Sequence, residues 1–171
     1  MTKPRILVTG CRGMLGAELL RKLGAVGRIE GVDIETGDLS DPSFCNDLLG
    51  SHAPEIVVNA AAYTLVDEVE KPEIYPTAIA ANATVPGNLA RYCAENAALL
   101  VHFSTDYVYD GSKQGPYVES DAPSPISAYG RTKLAGDEAI YASGCRYLIL
   151  RTAWLFGNRG HNFTEAILKK A

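Results

Sequence analysis

An α/β fold built on a doubly wound parallel sheet is what this 171-residue sequence predicts, on three observations. Short apolar runs alternate with longer segments rich in Ala, Leu and charged residues. The first apolar run passes straight into a glycine-rich turn. The segments follow the order β-α-β-α-β-α-β-α-β, and parallel neighbours need such crossover helices between them.

The elements follow in turn. Residues Arg5–Thr9, 29–33, Ile56–Asn59, 99–104 and 147–156 read as buried strands. Between them, Met14–Leu23, 42–49, 77–96 and 129–142 have the composition of amphipathic crossover helices. Only four residues separate Asp33 from Asp38, so any strand at 37–39 is vestigial. Residues 106–127 hold Gly111, Gly115, Pro116, Pro123 and Pro125, which break regular structure and predict a long loop. Loops of that length inside a compact domain are usually functional. The last segment, 162–170, is helix-like and has no turn signal after it, so the chain reads as an unfinished domain.

Composition narrows the partner. A hydrophobic content of 47% is enough for a sizeable core, yet no apolar run has the length of a membrane span or signal peptide. A soluble, cytoplasmic protein without a membrane partner is expected. The net charge of −4, with no cluster of Lys and Arg, argues against a nucleic-acid surface. Cys11, Cys45, Cys93 and Cys145 are scattered without metal spacing and read as reduced thiols. His52, His102 and His161 form no cluster; His102 lies in an apolar strand and reads as a satisfied core residue, His161 as loop. A small molecule is the partner that remains.

The glycine-rich turn is Gly10-Cys11-Arg12-Gly13-Met14-Leu15-Gly16, a G-x-x-G-x-x-G pattern between a strand and a helix. Small residues let the backbone approach a pyrophosphate, and the helix N-terminus offers N–H donors at its positive end. The sheet is therefore Rossmann-like. Asp33 ends the second strand, where a carboxylate can accept from an adenosine ribose and would repel a 2′-phosphate. Arg12 lies close by and could pair with such a phosphate, so NADH and NADPH both stay open. Asp38-Leu39 could meet the adenine edge and face, or Asp38 could be a solvated turn residue.

Tyr129 and Lys133 lie four residues apart, on one face of a helix. A tyrosine titrates near ~10, so acid–base work at neutral pH asks for a shift of roughly 3 units, about 4 kcal/mol. A neighbouring ammonium supplies part of that by favouring the phenolate, and it can also hold a nicotinamide ribose. The spacing alone is common on solvated helices. Upstream, the fourth strand ends in Ser104-Thr105-Asp106-Tyr107, beyond the carboxyl edge of the sheet where ligands bind, so a hydroxyl there can polarise a carbonyl beside the tyrosine. A strand-end Ser or Thr can equally cap a turn.

The segments ILVTGCRGMLGAEL, VVNAAAYTLVDEVE, FSTDYVYDG, PYVESDAPSPISAYGRTKLAGDEA and RTAWLFGNRGHNF resemble the extended short-chain dehydrogenase/reductase family over nearly the whole chain. The nearest resemblance is to its branch that reduces dTDP-4-dehydrorhamnose. That resemblance implies NAD(P)H-dependent reduction of the 4-keto group of dTDP-4-dehydro-L-rhamnose to dTDP-L-rhamnose. It implies that Tyr129 protonates the developing alkoxide, that Lys133 orients the ribose and lowers the tyrosine pKa, and that Thr105 bonds the substrate carbonyl. Asp106 and Trp154 match substrate-contacting positions; read without the family they are a turn carboxylate and a core aromatic. Cofactor contacts are implied for Gly13, Met14 and Leu15, for Asp38 and Leu39, and for Ala62, Tyr63 and Thr64. Some members carry a magnesium ion at a homodimer interface, and Glu18 matches one ligand; the others would lie beyond residue 171, so no metal is expected here. A homodimer remains open.

On this reading residues 1–157 form an NAD(P)-binding domain and 158–171 begin a C-terminal substrate region that is incomplete, which would leave apolar surface uncovered. Two other readings stand beside the reductase. A nucleotide-sugar epimerase or dehydratase shares the loop and the tyrosine–lysine pair. A non-catalytic subunit like the regulatory one of methionine adenosyltransferase would be expected to lose the substrate residues, which are present here.

Overall fold

The structure, a computed structural model, describes residues 2–157 and Ile167. Five strands form one parallel sheet in the order β2-β1-β3-β4-β5: β1 (Arg5–Thr9), β2 (Arg28–Val32), β3 (Ile56–Asn59), β4 (Leu99–Thr105) and β5 (Arg146–Thr152). The strand order turns back between β1 and β3, so a crevice opens beyond their carboxyl ends. Registers align Thr9 with Asn59, Asn59 with His102, and Thr105 with Thr152 along that edge.

The helices are α1 (Met14–Leu23), α2 (Pro42–His52), α3 (Tyr75–Ile79), α4 (Val85–Glu95) and α5 (Ala128–Ser143). Helix α2 starts where Asp41 accepts from the Ser43 and Phe44 amides ahead of Pro42. Ser127 caps α5 in the same way, and Gly144, left-handed, closes it. Leu7, Val57 and Leu100 of the sheet pack with Leu49, Leu89 and Ile140 from α2, α4 and α5 on one face. Ile6, Val8 and Val58 pack with Leu19, Leu20 and Leu23 of α1 on the other. Full burial of each such side chain is worth about 1.5–3 kcal/mol.

The α1 face is covered over only half of the sheet. Val101 pairs in register with Leu148 and Phe103 with Leu150, and the two leucines are 49% and 36% exposed. Trp154 and Phe156 are more exposed still, at 70% and 75%. Among the described residues, these side chains form an exposed apolar stretch along β5 and the segment after it.

Two elements differ markedly from the sequence reading. The last strand stops at Thr152 and does not reach residue 156, because its partner β4 ends at Thr105 and offers nothing further to pair with. Trp154 then takes a left-handed φ of 52° and turns outward, so it is not a core aromatic. The expected helix over 77–96 is broken by a π-helical turn, Ala80–Thr84, in which the Val85 amide donates to the Ala80 carbonyl. Pro86 supplies the reason: lacking an N–H, it cannot bond the Asn82 carbonyl four residues back. Between Asp33 and Asp38 there is a 3-10 turn, Ile34–Thr36, and no strand. The long loop is irregular from Tyr109 to Ser127, as its composition predicts. The four cysteines are free thiols. His161, the helix-like segment 162–170 and the start of a second region at 158 lie outside the described residues, Ile167 excepted.

Candidate active site

The glycine loop is shaped by the two positions that exclude a side chain. Gly10 has φ of 66°, and a Cβ on it would lie 2.6 Å from the Ala61 nitrogen. A Cβ on Gly16 would lie 2.0 Å from the Gly10 carbonyl oxygen. Together they let β1, the β3 end and the first turn of α1 meet at backbone distance. Gly13 sits at the N-cap without a capping side chain, so the Met14 and Leu15 end of α1 presents its amides and positive dipole outward. That is a binding place for a diphosphate.

Asp33 follows β2 directly and accepts from the Arg12 amide (2.7 Å) and the Ile34 amide (2.9 Å). The Arg12 guanidinium pairs with Glu35 at 2.6 Å on the surface. Asp38 accepts from the Ser40 amide (2.8 Å) and hydroxyl (2.7 Å), which hold its carboxyl below the usual range. The turn role left open for Asp38 is thus occupied. Leu39 packs on the core, and its carbonyl accepts from Asn88.

Ala62, Tyr63 and Thr64 run along the crevice after β3. Their backbone is fixed by Asn82, a wholly buried residue of the π turn. Its Oδ1 accepts from the Tyr63 amide (2.9 Å), while its Nδ2 donates to the Tyr63 carbonyl (3.1 Å) and to the Thr132 hydroxyl (3.0 Å) of α5. π turns recur at functional sites. Pro86 four residues after Asn82 was the signal in the sequence that could have found it.

Tyr129, Lys133 and Asp137 recur every four residues on the α5 face against β4, and all three are buried. Along β4 the alternation of side chains separates two groups. His102 and Ser104 turn toward Lys133 and Asp137. Thr105, at the strand end, bonds the Tyr129 phenol, favouring its ionised form. Burial has the larger influence and pushes the Tyr129 pKa up; Asp106 and Tyr107 add to this. Tyr107 meets the Tyr129 ring edge-on at 5.6 Å. Lys133 donates to the Phe103 carbonyl at 2.8 Å. The lowering of the phenol by Lys133 expected from the spacing is therefore not what this arrangement supplies, since the ammonium is directed elsewhere.

Asp106 accepts from the Thr105 hydroxyl at 3.1 Å and stands exposed at the crevice. The segment after β5 crosses the loop side, where a Cβ added at Gly157 would lie 3.3 Å from the Met14 Cγ. Trp154 thus lies on a path running from β5 toward the glycine loop. The start of α5 is held by Glu70, which accepts from the Ala128 amide at 2.6 Å, a contact the sequence does not announce. Among the described residues, no group of three or more His, Cys, Asp or Glu could hold a metal ion.

A family model described as the RmlD substrate binding domain matches residues 4–171. The chain belongs to this family. One relative of the RmlD-type chain, the dTDP-4-dehydrorhamnose reductase of Burkholderia thailandensis, is 40% identical over 98% of this chain and 55% of its own length. A probable dTDP-4,6-dihydroxy-2-methyloxan-3-one 4-ketoreductase of Streptomyces antibioticus is also 40% identical, over 97% of this chain and 56% of its own. A crystal structure of dTDP-4-dehydrorhamnose reductase from Bacillus anthracis in complex with NADP superposes with a TM-score of 0.93 at 33% identity, over 99% of this chain and 60% of that one. The chain spans about half the length of the curated relatives it matches.

Proposed function

We propose that the protein is an NAD(P)H-dependent reductase that converts the 4-keto group of dTDP-4-dehydro-L-rhamnose to the alcohol of dTDP-L-rhamnose. The observation that carries this reading is the pair of hydroxyls, Thr105 on Tyr129, in a crevice that also holds the uncapped start of α1. Backbone amides at Met14 and Leu15 would take the diphosphate of the dinucleotide, with Gly13, whose amide donates to the Gly10 carbonyl at 3.1 Å, letting it come close, and Asp33 would take the adenosine ribose. A bound nicotinamide would supply the hydride for the ketone carbon. Thr105 and Tyr129 would hydrogen-bond the ketone oxygen, and Tyr129 would pass its phenolic proton to the alkoxide as charge builds there.

The upward shift of Tyr129 suits this direction of reaction. A phenol kept protonated by burial is ready to donate when an alkoxide, a much stronger base, forms beside it. Asp106 would meet sugar hydroxyls and Trp154 an apolar sugar face. Curated relatives named as 4-keto reductases of dTDP-linked sugars support the substrate class. No helix among the described residues is long and apolar enough to cross a membrane, and both proposed reactants are water-soluble, which supports a cytoplasmic site of action.

The test is stoichiometry. The protein is given dTDP-4-dehydrorhamnose with NADH or NADPH, and oxidised cofactor is counted against product. One cofactor oxidised and released per sugar reduced is expected. Product formed without net cofactor oxidation would make the protein an epimerase or dehydratase instead.

A further inference from the structure

Beneath the crevice, a chain of buried polar groups runs across four strands. Thr9 of β1 donates its hydroxyl to the Asn59 Oδ1 of β3 (2.7 Å), which also accepts from the Ala61 amide (3.2 Å). With Oδ1 so used, the Asn59 amide orientation is fixed, and its Nδ2 donates to His102 Nδ1 of β4 at 3.0 Å. Nδ1 therefore bears no proton, and a neutral imidazole must carry its proton on Nε2. Burial and the neighbouring Lys133 hold His102 well below its ordinary pKa, which keeps the ring neutral.

The Nε2–H faces two groups. Lys133 Nζ is 3.4 Å away and, as an ammonium, cannot accept. Asp137 Oδ1 is 3.9 Å away and is a buried oxygen with no hydrogen-bond partner. The other oxygen, Oδ2, accepts from Ser104 (3.0 Å) and from Arg151 Nη2 (3.3 Å) and Nε (3.4 Å). Arg151 also reaches the Tyr109 and Tyr141 hydroxyls, which ties the carboxylate to the long loop. The Asp137 carboxyl is thus anchored on one oxygen, and its second lies 3.9 Å from His102 Nε2, the same nitrogen that Lys133 Nζ approaches at 3.4 Å.

We propose that Asp137 is a positioning residue for Lys133: it supplies the buried negative charge, beside a His102 ring whose tautomer Asn59 sets, that keeps the ammonium on the Phe103 carbonyl. The groups facing Lys133 are His102 and the Phe103 carbonyl from β4 and Asp137 from its own helix, with Arg151 of β5 behind Asp137 and Asn59 of β3 behind His102. Burial lowers the Lys133 pKa to about 8, and Asp137 acts against that fall. Neutralising Asp137 removes the opposing influence, so Lys133 loses its proton at lower pH. The direct consequence concerns Lys133 in this chain; the effect on a nicotinamide cofactor rests additionally on the reductase reading.

The experiment is a pH titration of the Lys133 side chain by NMR on the 171-residue chain with labelled lysine, assigned with Lys133→Met. Asp137→Asn is expected to lower the Lys133 midpoint by about one unit or more, and Asp137→Glu to bring it back toward the wild-type value. A merely structural role would reduce stability and leave the midpoint where it was, and an unchanged midpoint in Asp137→Asn overturns the proposal. Should that variant be too unstable, Arg151→Gln serves: freed from its competing cation, Asp137 should raise the Lys133 midpoint, and a fixed midpoint again overturns the proposal. Long-range nitrogen spectra of His102 should show Nδ1 bare and Nε2 protonated; the reverse tautomer contradicts the assignment. These readouts need no cofactor, so they stand apart from the stoichiometry assay. If the reductase reading also holds, NADH affinity should fall as pH rises through about 8 in the wild type, and at lower pH in Asp137→Asn.

Discussion

The two walls of the crevice are built on opposite principles. On the α1 side, recognition rests on backbone: Gly10 and Gly16 are places where no side chain fits, and the ligand-facing groups are amides that the helix leaves unbonded. On the α5 side, the chemistry rests on buried side chains, Tyr129, Lys133, His102 and Asp137, each held by specific partners. A backbone site fails when atoms are added, whereas a side-chain site fails when atoms or charges are removed.

Substitutions should expose this difference, beginning with Gly16→Val. Its Cβ would have to displace the Gly10 carbonyl from 2.0 Å, so a loss of about 3 kcal/mol or more is expected in denaturant unfolding, together with loss of NADH binding in calorimetry. Binding that survives unaltered would show that the loop is not a diphosphate site. Asn82→Ala subtracts from the other side, leaving the Tyr63 amide and carbonyl without their partner at a cost of about 1–3 kcal/mol. Cofactor affinity should weaken with it, because residues 62–64 lose their anchor. The smallest effect belongs to Glu35→Gln. The Arg12–Glu35 pair is exposed, at 71% and 55%, so stability should move by less than about 0.5 kcal/mol. Arg12 would then be available to a 2′-phosphate, and the affinity for NADPH relative to NADH should rise several-fold; a fixed ratio would remove Arg12 from cofactor selection.

The same contrast explains what the sequence made legible. A backbone site leaves a local signature: Gly10, Gly13 and Gly16 between an apolar run and a helix predict the loop, its neighbours and the crevice at the strand ends. Tyr129 and Lys133 could be placed on one helix face by their spacing, but the destination of the ammonium could not. Phe103 and His102 reach Lys133 only once β4 and α5 are packed together. Asn82 and Glu70 were missed for a related reason, since each acts on backbone far along the chain, at Tyr63 and Ala128. The end of β5 was overextended because apolar residues continue to Phe156, whereas strand length is limited by the partner strand.

The central claim is that Tyr129 gives its proton to a reduced sugar ketone. It is tested most directly by comparing Tyr129→Phe with the wild type, with dTDP-4-dehydrorhamnose and saturating cofactor. Phenylalanine keeps the ring contact with Tyr107 while removing the hydroxyl beside Thr105. A fall in kcat of at least about 100-fold, with NADH affinity unchanged, is the predicted result. Turnover at the wild-type rate would contradict the account.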